Sequence, residues 1–381
     1  MTIKTTALIN AKLIIDGTII EDKILLYDSK IIDIVDDVLL TDNDNIDIID
    51  AQGYYVSAGF IDVHIHGSGG ADVMDTTPEA LDTISTILPS TGTTSFLATT
   101  MTMSSEAIDK ALHTIQEHAS EVTGAHILGV HLEGPFINVA KHGAQDKTFI
   151  QKPNFSLIEN YIDIIKMITL APEVEGSEDF VKKLTKEYPH IIQSIGHSSA
   201  TYAQTKQSFT WGISHATHLF NAMNPYHHRE PGIVGAVFDS DVTCDVIADL
   251  VHTHAHTLEL VYKMKKDNLV LITDAMRAGC MKCGTYDLGG RSVEVSQDTA
   301  TLEDGTLAGS VLKMNDALHN MTIHTNMTLV EAVAAVTEVP ARMLGIQKGA
   351  LKVGYDADIV MFDENFSIIA TIINGQEKYR K

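Results

Sequence analysis

The sequence contains few cysteines and few positive charges. Three cysteines among 381 residues do not suggest a disulfide scaffold and are typical of a reducing compartment. Lys and Arg number 27 against 50 Asp and Glu, so the net charge is −23. Because such a surface repels nucleic acid and anionic membranes, we exclude both as partners. An anionic substrate therefore needs a local group of positive side chains.

Signals for export and for membrane insertion are also lacking. The first residues, MTIKTTALINAKLIIDG, contain no basic segment followed by a long apolar one, so we expect no signal peptide. No run of residues approaches the roughly 20 apolar positions that a membrane-spanning helix requires. We therefore expect a soluble, cytoplasmic protein.

Apolar residues make up 44% of the chain, and from Gly53 onward they form strand-like runs that alternate with helical segments. Runs such as FIDVHIH, TSFLATTM and NLVLITDAM are almost continuously apolar, which is typical of parallel strands buried on both faces. After the strand ILGVHLEG, we expect SLIENYIDII to be the helix. Eight such alternations predict an α/β fold, a (β/α)8 TIM-type barrel.

A doubly wound open sheet is the competing architecture. Its first strand is normally followed by a Gly-rich loop that binds phosphate. The segment HGSGGADVMD matches that loop poorly, because His66 occupies the place of the phosphate.

The two ends of the chain have strand character instead. We expect residues 1–52 and 350–381 to form one small β-sandwich lobe beside a barrel of residues 53–349. The segment GTYDLGGRSVEVSQDTATLEDGTLAGS, after the eighth strand, resembles a Gly-rich hairpin insert.

Histidines and acids lie where the barrel strands end. In GFIDVHIHG, strand alternation places Asp62, His64 and His66 on one face, as a series of potential ligands. Further polar residues end later strands, namely Glu133 in strand three, His197 in strand five, His218 in strand six and Asp274 in strand eight. Because active sites of such barrels lie at the carboxyl ends of the strands, we expect these side chains to converge. Nitrogen and carboxylate ligands of this kind predict a hydrolytic divalent metal site.

These motifs resemble the N-acetylglucosamine-6-phosphate deacetylase family of the amidohydrolase superfamily, over nearly the whole chain. GFIDVHIHG and KGALKVGYDADIVMFD are features of the superfamily. HLEGPF, GHSSATY, THLFNAM, REPGIVGA, LITDAM and LAGSVLKM are closer to the deacetylases. The resemblance implies hydrolysis of the acetyl amide of N-acetylglucosamine 6-phosphate, which yields glucosamine 6-phosphate and acetate.

The resemblance also implies roles for the strand-end residues. Glu133, His197 and His218 match the family's metal ligands, and the metal is Zn, Fe, Mn or Co. Some members lack the His pair and hold one metal, whereas this chain keeps His64 and His66, so we expect a second metal bridged by Glu133. Asp274 matches the catalytic aspartate, which acts as general base towards water and then as general acid towards the amine.

The family's substrate-binding residues match a further set of positions, which are Ala144, Gln145, Asn221, Ala222, Arg229, His252, Leu307, Ala308 and Gly309. Gln145 can donate a hydrogen bond to the acetyl carbonyl but cannot carry a proton. In the family, the Arg of REPG comes from a neighbouring subunit to contact the phosphate. We therefore expect a homodimer in which Arg229 crosses the interface, although NPYHHRE on its composition alone is equally consistent with a solvated loop.

Two alternatives of function remain. Another metal-dependent amidohydrolase, such as an N-acyl-amino-acid deacylase or a cyclic-amide hydrolase, would need no phosphate-binding Arg229 or His252. Metal-free relatives that act as binding proteins lose ligands, whereas every expected ligand is present here. Cys280 and Cys283, at C-x-x-C spacing, lack a second pair, so we expect neither a structural zinc nor a redox role. We interpret the acidic segment DIVDDVLLTDNDNIDIID as a solvated face and loop.

Overall fold

The computed structural model describes residues 4–36 and 46–381. The first strands are short and lie in two sheets, and their bounds are β1 Thr5–Ile9, β2 Lys12–Ile15, β3 Thr18–Ile20, β4 Lys23–Tyr27, β5 Ile31–Asp36, β6 Ile46–Asp50 and β7 Tyr55–Ala58. A four-stranded sheet has the order β5-β4-β1-β6, whereas β2, β3 and β7 belong to a second sheet. Residues 37–45, in the middle of the acidic segment that is expected to be a solvated face and loop, lie outside the described residues.

An eight-stranded parallel sheet forms the centre of the molecule. Its strands, in chain order and in spatial order, are β8 Phe60–Ile65, β11 Thr93–Thr100, β12 His126–Glu133, β13 Ile165–Leu170, β14 Ile192–Ile195, β15 His215–Ala216, β16 Thr243–Ile247 and β17 Leu269–Ile272. Two short strands, β9 Gly67–Ser68 and β10 Ala71–Asp72, pair with each other after β8. Every residue of β8 and β11 is buried, as expected for strands that are covered on both faces.

The first and last strands of this sheet meet at their carboxyl ends. The amide of Asp274 donates to the carbonyl of His64 at 2.9 Å, and the amide of His66 donates to the carbonyl of Ala275 at 2.9 Å. These bonds close the sheet into the predicted barrel, and they also place the two His and the Asp side by side.

Helices cover the outside of the barrel. Their bounds are α1 Pro78–Ile87, α2 Ser105–His118, α3 Ser177–Glu187, α4 Tyr202–Trp211, α5 Gly232–Phe238, α6 Ala255–Lys265, α7 Met314–His324, α8 Leu329–Val336 and α9 Glu338–Leu344. Several begin at a side-chain cap, as at Thr201 and Thr328, where a Gln or Glu three residues later completes a capping box. Within the described residues, no helix is long and apolar enough to cross a membrane.

The helix expected at SLIENYIDII is wrong. The structure has two single 3₁₀ turns there, Phe155–Leu157 and Glu159–Tyr161. Ile158, between them, has φ −116°, outside the α-helical range, and its side chain is fully buried. The chain is drawn into the core at this residue, so the helical hydrogen-bond ladder cannot run through it.

The insert after the eighth barrel strand is a three-stranded antiparallel sheet, with β18 Gly284–Leu288, β19 Arg291–Val295 and β20 Ala300–Leu302. The chain then ends in β21 Ile359–Phe362, β22 Ile368–Ile373 and β23 Gln376–Arg380. These three strands join the N-terminal ones in a six-stranded sheet of order β23-β22-β21-β7-β2-β3. Side chains of both sheets, such as Leu8, Leu25, Val56 and Ile359, share one apolar core, so the two chain ends form the predicted sandwich.

Candidate active site

Glu133 lies at the centre of a buried cluster at the carboxyl end of the barrel. One of its carboxylate oxygens is 3.1 Å from Nε2 of His197 and 3.0 Å from Nε2 of His218. The same oxygen is 3.6 Å from Nε2 of His64, and the other oxygen is 3.4 Å from Nε2 of His66. The carboxylate therefore lies between two pairs of imidazoles.

The cluster divides into two groups that could each hold a metal ion. Ligand atoms of His64, His66 and Glu133 lie within 4.8 Å of one another, and so do those of Glu133, His197 and His218. Glu133 belongs to both groups. Nitrogen and carboxylate ligands in this arrangement suit a borderline divalent cation such as zinc.

Backbone carbonyls fix the orientation of two of these rings. Nδ1 of His197 donates to the carbonyl of Lys141 at 2.8 Å, and Nδ1 of His66 donates to the carbonyl of Thr99 at 3.3 Å. Since a carbonyl only accepts, the neutral rings carry their proton on Nδ1 and present a lone pair on Nε2. Nε2 of His197 lies 3.2 Å from Nε2 of His218. Two ring nitrogens this close to each other and to the Glu133 carboxylate are suited to a shared cation.

Asp274 lies beside the first imidazole pair. Its Oδ1 is 3.5 Å from Nε2 of His64 and 3.3 Å from Nε2 of His66. Burial alone would raise the pKa of this carboxyl, but His64 and His66 outweigh burial and lower the pKa below its ordinary value. Asp274 is therefore held as a carboxylate, the form that can accept a proton.

The carboxylates act on the imidazoles in return. Burial opposes the charged form of His218, yet hydrogen bonding to Glu133 and the charge of Glu133 raise its pKa to about 9. Burial likewise opposes the charged form of His66, and its bonds to Asp274 and Glu133 raise its pKa well above the ordinary value. The field of the two carboxylates thus favours positive charge in the cluster.

The backbone is strained at three of these residues. His197, His218 and Asp274 have φ values of 46°, 32° and 49°, in the left-handed region that residues other than glycine rarely adopt. Such strain persists only where the surroundings enforce it, and it is concentrated at functional sites.

Two carboxylates, the buried Asp245 and the half-buried Glu173, accept hydrogen bonds from backbone amides at or next to the strained residues. Asp245, fully buried, accepts from the amide of His218 with one oxygen and contacts Nε2 of His215 at 2.8 Å with the other. Glu173 accepts from the hydroxyl of Ser198 and the amide of Ser199, both at 2.6 Å, directly after His197. Neither acid is among the residues predicted from the sequence, because only the tertiary fold shows which backbone amides they contact.

Asp62 likewise accepts a hydrogen bond from the backbone amide of a residue in the cluster. The strand alternation predicts Asp62 to be a potential ligand, but among the described residues Asp62 belongs to neither ligand group. Its carboxylate accepts from the hydroxyl of Thr273 at 2.5 Å and from the amide of His64 at 3.2 Å. Burial raises the pKa of Asp62 to about 7. Asp62 thus connects the first barrel strand to the last instead of facing the cluster.

A cavity of about 230 Å³ opens above the cluster. The predicted residues that line it are His66, Glu133, Ala144, Gln145, His197, Asn221, Ala222, His218, His252, Asp274, Leu307 and Gly309. His64 lies in the cluster but is fully buried. The structure therefore places nearly all of the predicted metal, catalytic and substrate residues at one cavity.

Two predicted substrate residues do not line this cavity. Ala308 is fully buried and packs with the core of the insert. Arg229 lies on an exposed loop, where it donates to Nε2 of His228 at 2.8 Å. The participation of Arg229 across a dimer interface stays a prediction.

Four lining residues were absent from the predicted set, namely Met101, Gly143, Leu288 and Thr306. Met101 directly follows the second barrel strand, so the strand-end rule could have indicated it, whereas Gly143 lies in the long connection after the third strand, next to Ala144. Leu288 and Thr306 belong to the insert, whose position over the cavity is not evident from the sequence.

The C-x-x-C pair lies away from the cluster. Cys280 is half-buried, Cys283 is exposed, and both are free. In the part of the chain that the structure describes, neither belongs to a group of potential metal ligands.

The chain is similar to several known proteins. Residues 55–378 match the model of the amidohydrolase family. The chain is 42% identical over 329 residues to an N-acetylglucosamine-6-phosphate deacetylase of Bacillus subtilis, covering 83% of each chain. It is 35% identical over 325 residues to an N-acetylgalactosamine-6-phosphate deacetylase of Escherichia coli O157:H7, covering 83% of this chain and 86% of that one. The crystal structure of N-acetylglucosamine-6-phosphate deacetylase from Pasteurella multocida superposes with a TM-score of 0.94 at 30% identity, covering 99% of this chain and 100% of that one.

Proposed function

The chain belongs to the amidohydrolase family, and from that premise we propose that it hydrolyses the acetyl amide of N-acetylglucosamine 6-phosphate to glucosamine 6-phosphate and acetate. The observation that carries this proposal is the cavity, which combines the Glu133 cluster, Asp274 and a set of polar groups suited to a sugar. The similarity to deacetylases of phosphorylated amino sugars supports the same substrate class.

The proposed metal ligands are the two groups that share Glu133. We propose that Glu133, His197 and His218 hold one divalent metal and that His64, His66 and Glu133 hold a second. Zn, Fe, Mn and Co all accept such ligands. When bound, the metal acidifies water and polarises the amide carbonyl.

Asp274 is the proposed proton carrier. As a carboxylate beside the cluster, it accepts a proton from the water that attacks the acetyl carbon. It then returns that proton to the departing nitrogen, so that the C–N bond breaks and the amine leaves in neutral form, and the acetic acid formed loses its own proton to solvent as acetate. Nε2 of Gln145 donates to Glu133 at 2.7 Å and lies 3.4 Å from Nε2 of His197, so this amide borders the cluster where the acetyl carbonyl is proposed to bind.

Asn221 supports the assignment of the cavity to a polar ligand. Its Nδ2 is buried at the cavity and has no hydrogen-bond partner among residues 4–36 and 46–381. Because buried polar atoms are normally paired, this donor is suited to a substrate oxygen. Ala144, Ala222 and the turn of Leu307, Ala308 and Gly309 are the proposed sugar contacts around it.

A direct assay tests the function. Purified protein, analysed for bound metal, is supplied with N-acetylglucosamine 6-phosphate, N-acetylgalactosamine 6-phosphate or unphosphorylated N-acetylglucosamine, and released acetate is measured. We expect the highest kcat/KM for the first sugar. If N-acetyl amino acids or cyclic amides are hydrolysed and no phosphorylated sugar is, the alternative amidohydrolase function holds instead.

The metal assignment has its own test, which is the number of ions per chain. Replacing Glu133, His197 or His218 with Ala is expected to abolish turnover and the metal of the first group, because each removes one of its ligands. His64→Ala is expected to lower the metal content from two ions towards one. Elemental analysis of the purified variants decides, and an unchanged metal content in His64→Ala would exclude His64 as a ligand.

A further inference from the structure

The walls of the cavity offer little positive charge to a phosphate. Among the described residues that line it, no Lys or Arg occurs, and the histidines other than His252 belong to the metal cluster. The chain carries −23 overall, so long-range attraction does not favour a dianion. His252 is therefore the basic group that this chain itself offers to a phosphate in the cavity.

Asp249 holds His252 in place. One oxygen of the Asp249 carboxylate is 2.6 Å from Nδ1 of His252. The other oxygen accepts from the amides of Val251 and His252, at 2.9 and 2.7 Å. The side chains of His252 and Asp249 are only 7% and 6% exposed. The carboxylate thus fixes both the turn and the ring that the turn carries.

This contact determines where the imidazole carries its protons. A carboxylate only accepts, so Nδ1 of His252 must donate, and the neutral ring then has a lone pair on Nε2. The oxygens of a phosphate dianion also only accept. A direct bond from Nε2 to such an oxygen therefore requires a second proton, which makes the ring a cation between two anions.

We propose that Asp249 is a positioning residue for phosphate recognition, which holds His252 as an imidazolium that binds the phosphate of the substrate. The proposal rests on the proposed function, because it needs a phosphorylated substrate. Asp249 does not line the cavity, so it acts on substrate binding through His252 and leaves the chemical step unchanged.

Asp249→Asn separates the charge from the geometry. The Asn side chain keeps an oxygen for the two backbone amides, and its NH₂ group donates to Nδ1. The ring then becomes neutral with its proton on Nε2, so that a neutral hydrogen bond replaces a charged one. We expect KM for N-acetylglucosamine 6-phosphate to rise by about 3- to 30-fold, with kcat nearly unchanged. For unphosphorylated N-acetylglucosamine, we expect kcat/KM to stay at the wild-type value.

A double-mutant cycle shows whether Asp249 acts through His252. In a His252→Ala background, Asp249→Asn is expected to change KM by less than about 2-fold, because the group through which it acts is gone. Asp298→Asn is the matched control. Asp249 and Asp298 both line a second groove, which also contains Cys280, Cys283 and Asp316. Replacing Asp298 makes the same charge change without touching His252, so wild-type KM is expected.

The outcomes distinguish the two proposals. If the wild-type protein releases no acetate from the phosphorylated sugar, the proposed function fails. If it does, but Asp249→Asn keeps the wild-type KM, weakens both sugars equally or adds fully to His252→Ala, then only the role of Asp249 is overturned. If Asp249→Asn does not fold, His252→Gln supplies the same neutral donor, and a wild-type KM in that variant overturns the proposal.

Discussion

At the scale of single residues, the candidate site combines a strained backbone with buried acids that accept hydrogen bonds from backbone amides. His197, His218 and Asp274 follow barrel strands in a left-handed backbone conformation. Asp62 and Asp245 accept from the backbone amides of His64 and His218. At His218, where the left-handed conformation costs about 1–3 kcal/mol, the bond to Asp245 helps to maintain that conformation.

Asp274 gives a prediction that separates metal binding from proton transfer. Asp274→Asn keeps the shape of the side chain and removes its basicity. We expect the metal content to stay the same while kcat falls by about 10²–10⁴-fold, the range for loss of a general acid–base. Elemental analysis and a kcat–pH profile check this. Near-normal turnover across pH would show that another group carries the proton.

The cysteines give a prediction about accessibility. Burial raises the pKa of Cys244 to about 12, and Cys244 is fully buried, whereas Cys283 is exposed. Since the thiolate is the nucleophile, Cys283 is expected to react first with a thiol reagent in the native protein. Cys244 is expected to react only after unfolding. Mass spectrometry of the labelled peptides identifies the sites, and rapid labelling of native Cys244 would contradict the burial.

At the scale of elements, two arginines join the three-stranded insert to the connections that follow the barrel strands. Arg277 donates to Asp75 at 2.7 Å and to the carbonyl of Asp287 at 2.8 Å, so it joins the insert to the segment after β8. Arg291, in β19, donates to the carbonyl of Ala144 at 3.1 Å. The insert is thereby held against the third barrel connection, and Leu288 and Thr306 reach the cavity.

Glu259 in α6 gives a prediction for the outer helices. It pairs with Lys263 at 2.8 Å and accepts from the amide of Asn326 at 2.8 Å, which connects α6 to the segment before α8. The bond to Lys263 and the bonds to Asn326 lower the pKa of Glu259 to about 2. A lowered pKa means that its stabilisation is present above the ordinary pKa and is lost as pH falls towards the folded value.

Glu259→Gln is therefore expected to lower Tm at pH 7, and the difference from wild type should shrink as pH falls from about 5 towards 2. Thermal unfolding followed by circular dichroism at several pH values measures it. Glu303→Gln serves as the control, because Glu303 lies in the turn after β20 and not in a helix. A difference in Tm that stays constant over this range would show that the charge of Glu259 has no part in the stabilisation.

At the scale of the whole molecule, an acidic protein is proposed to bind an acidic substrate. The charge of −23 gives no general attraction for a sugar phosphate, so local donors must supply the affinity. Arg229 lies on an exposed loop and does not line the cavity of its own chain. A two-fold dimer, in which each site borrows this loop from the other subunit, is the arrangement that we propose.

Arg229→Ala tests this arrangement. Loss of a charged hydrogen-bond partner costs about 1.5–3 kcal/mol, so KM for the phosphorylated sugar is expected to rise by about 10- to 150-fold. Turnover of unphosphorylated N-acetylglucosamine should remain nearly unchanged. Arg380→Ala, an exposed Arg in the six-stranded sheet, is the control. A fully active monomer by light scattering would refute the shared site, and equal losses on both sugars would show that Arg229 supports structure.

The sequence by itself determined the barrel and the chemistry at its rim. Continuous apolar runs specify strands that are buried on both faces, and the strand-end rule then places His64, His66, Glu133, His197 and Asp274 at one end. That rule is local, because it depends only on where each strand stops. The resemblance of the strand-end motifs to one family supplied the substrate class, which the comparisons support.

Only the tertiary structure decided what supports and encloses the site. The pairing of Asp62 with Thr273, or of Asp245 with the amide of His218, joins residues from different strands whose contact depends on barrel closure. The same holds for the insert, which reaches the cavity through Arg277 and Arg291, and for the Ile158 segment, where packing into the core outweighs helical periodicity. Sequence patterns record which face of an element is apolar, but hydrogen bonds between distant strands arise only from the geometry of the assembled barrel.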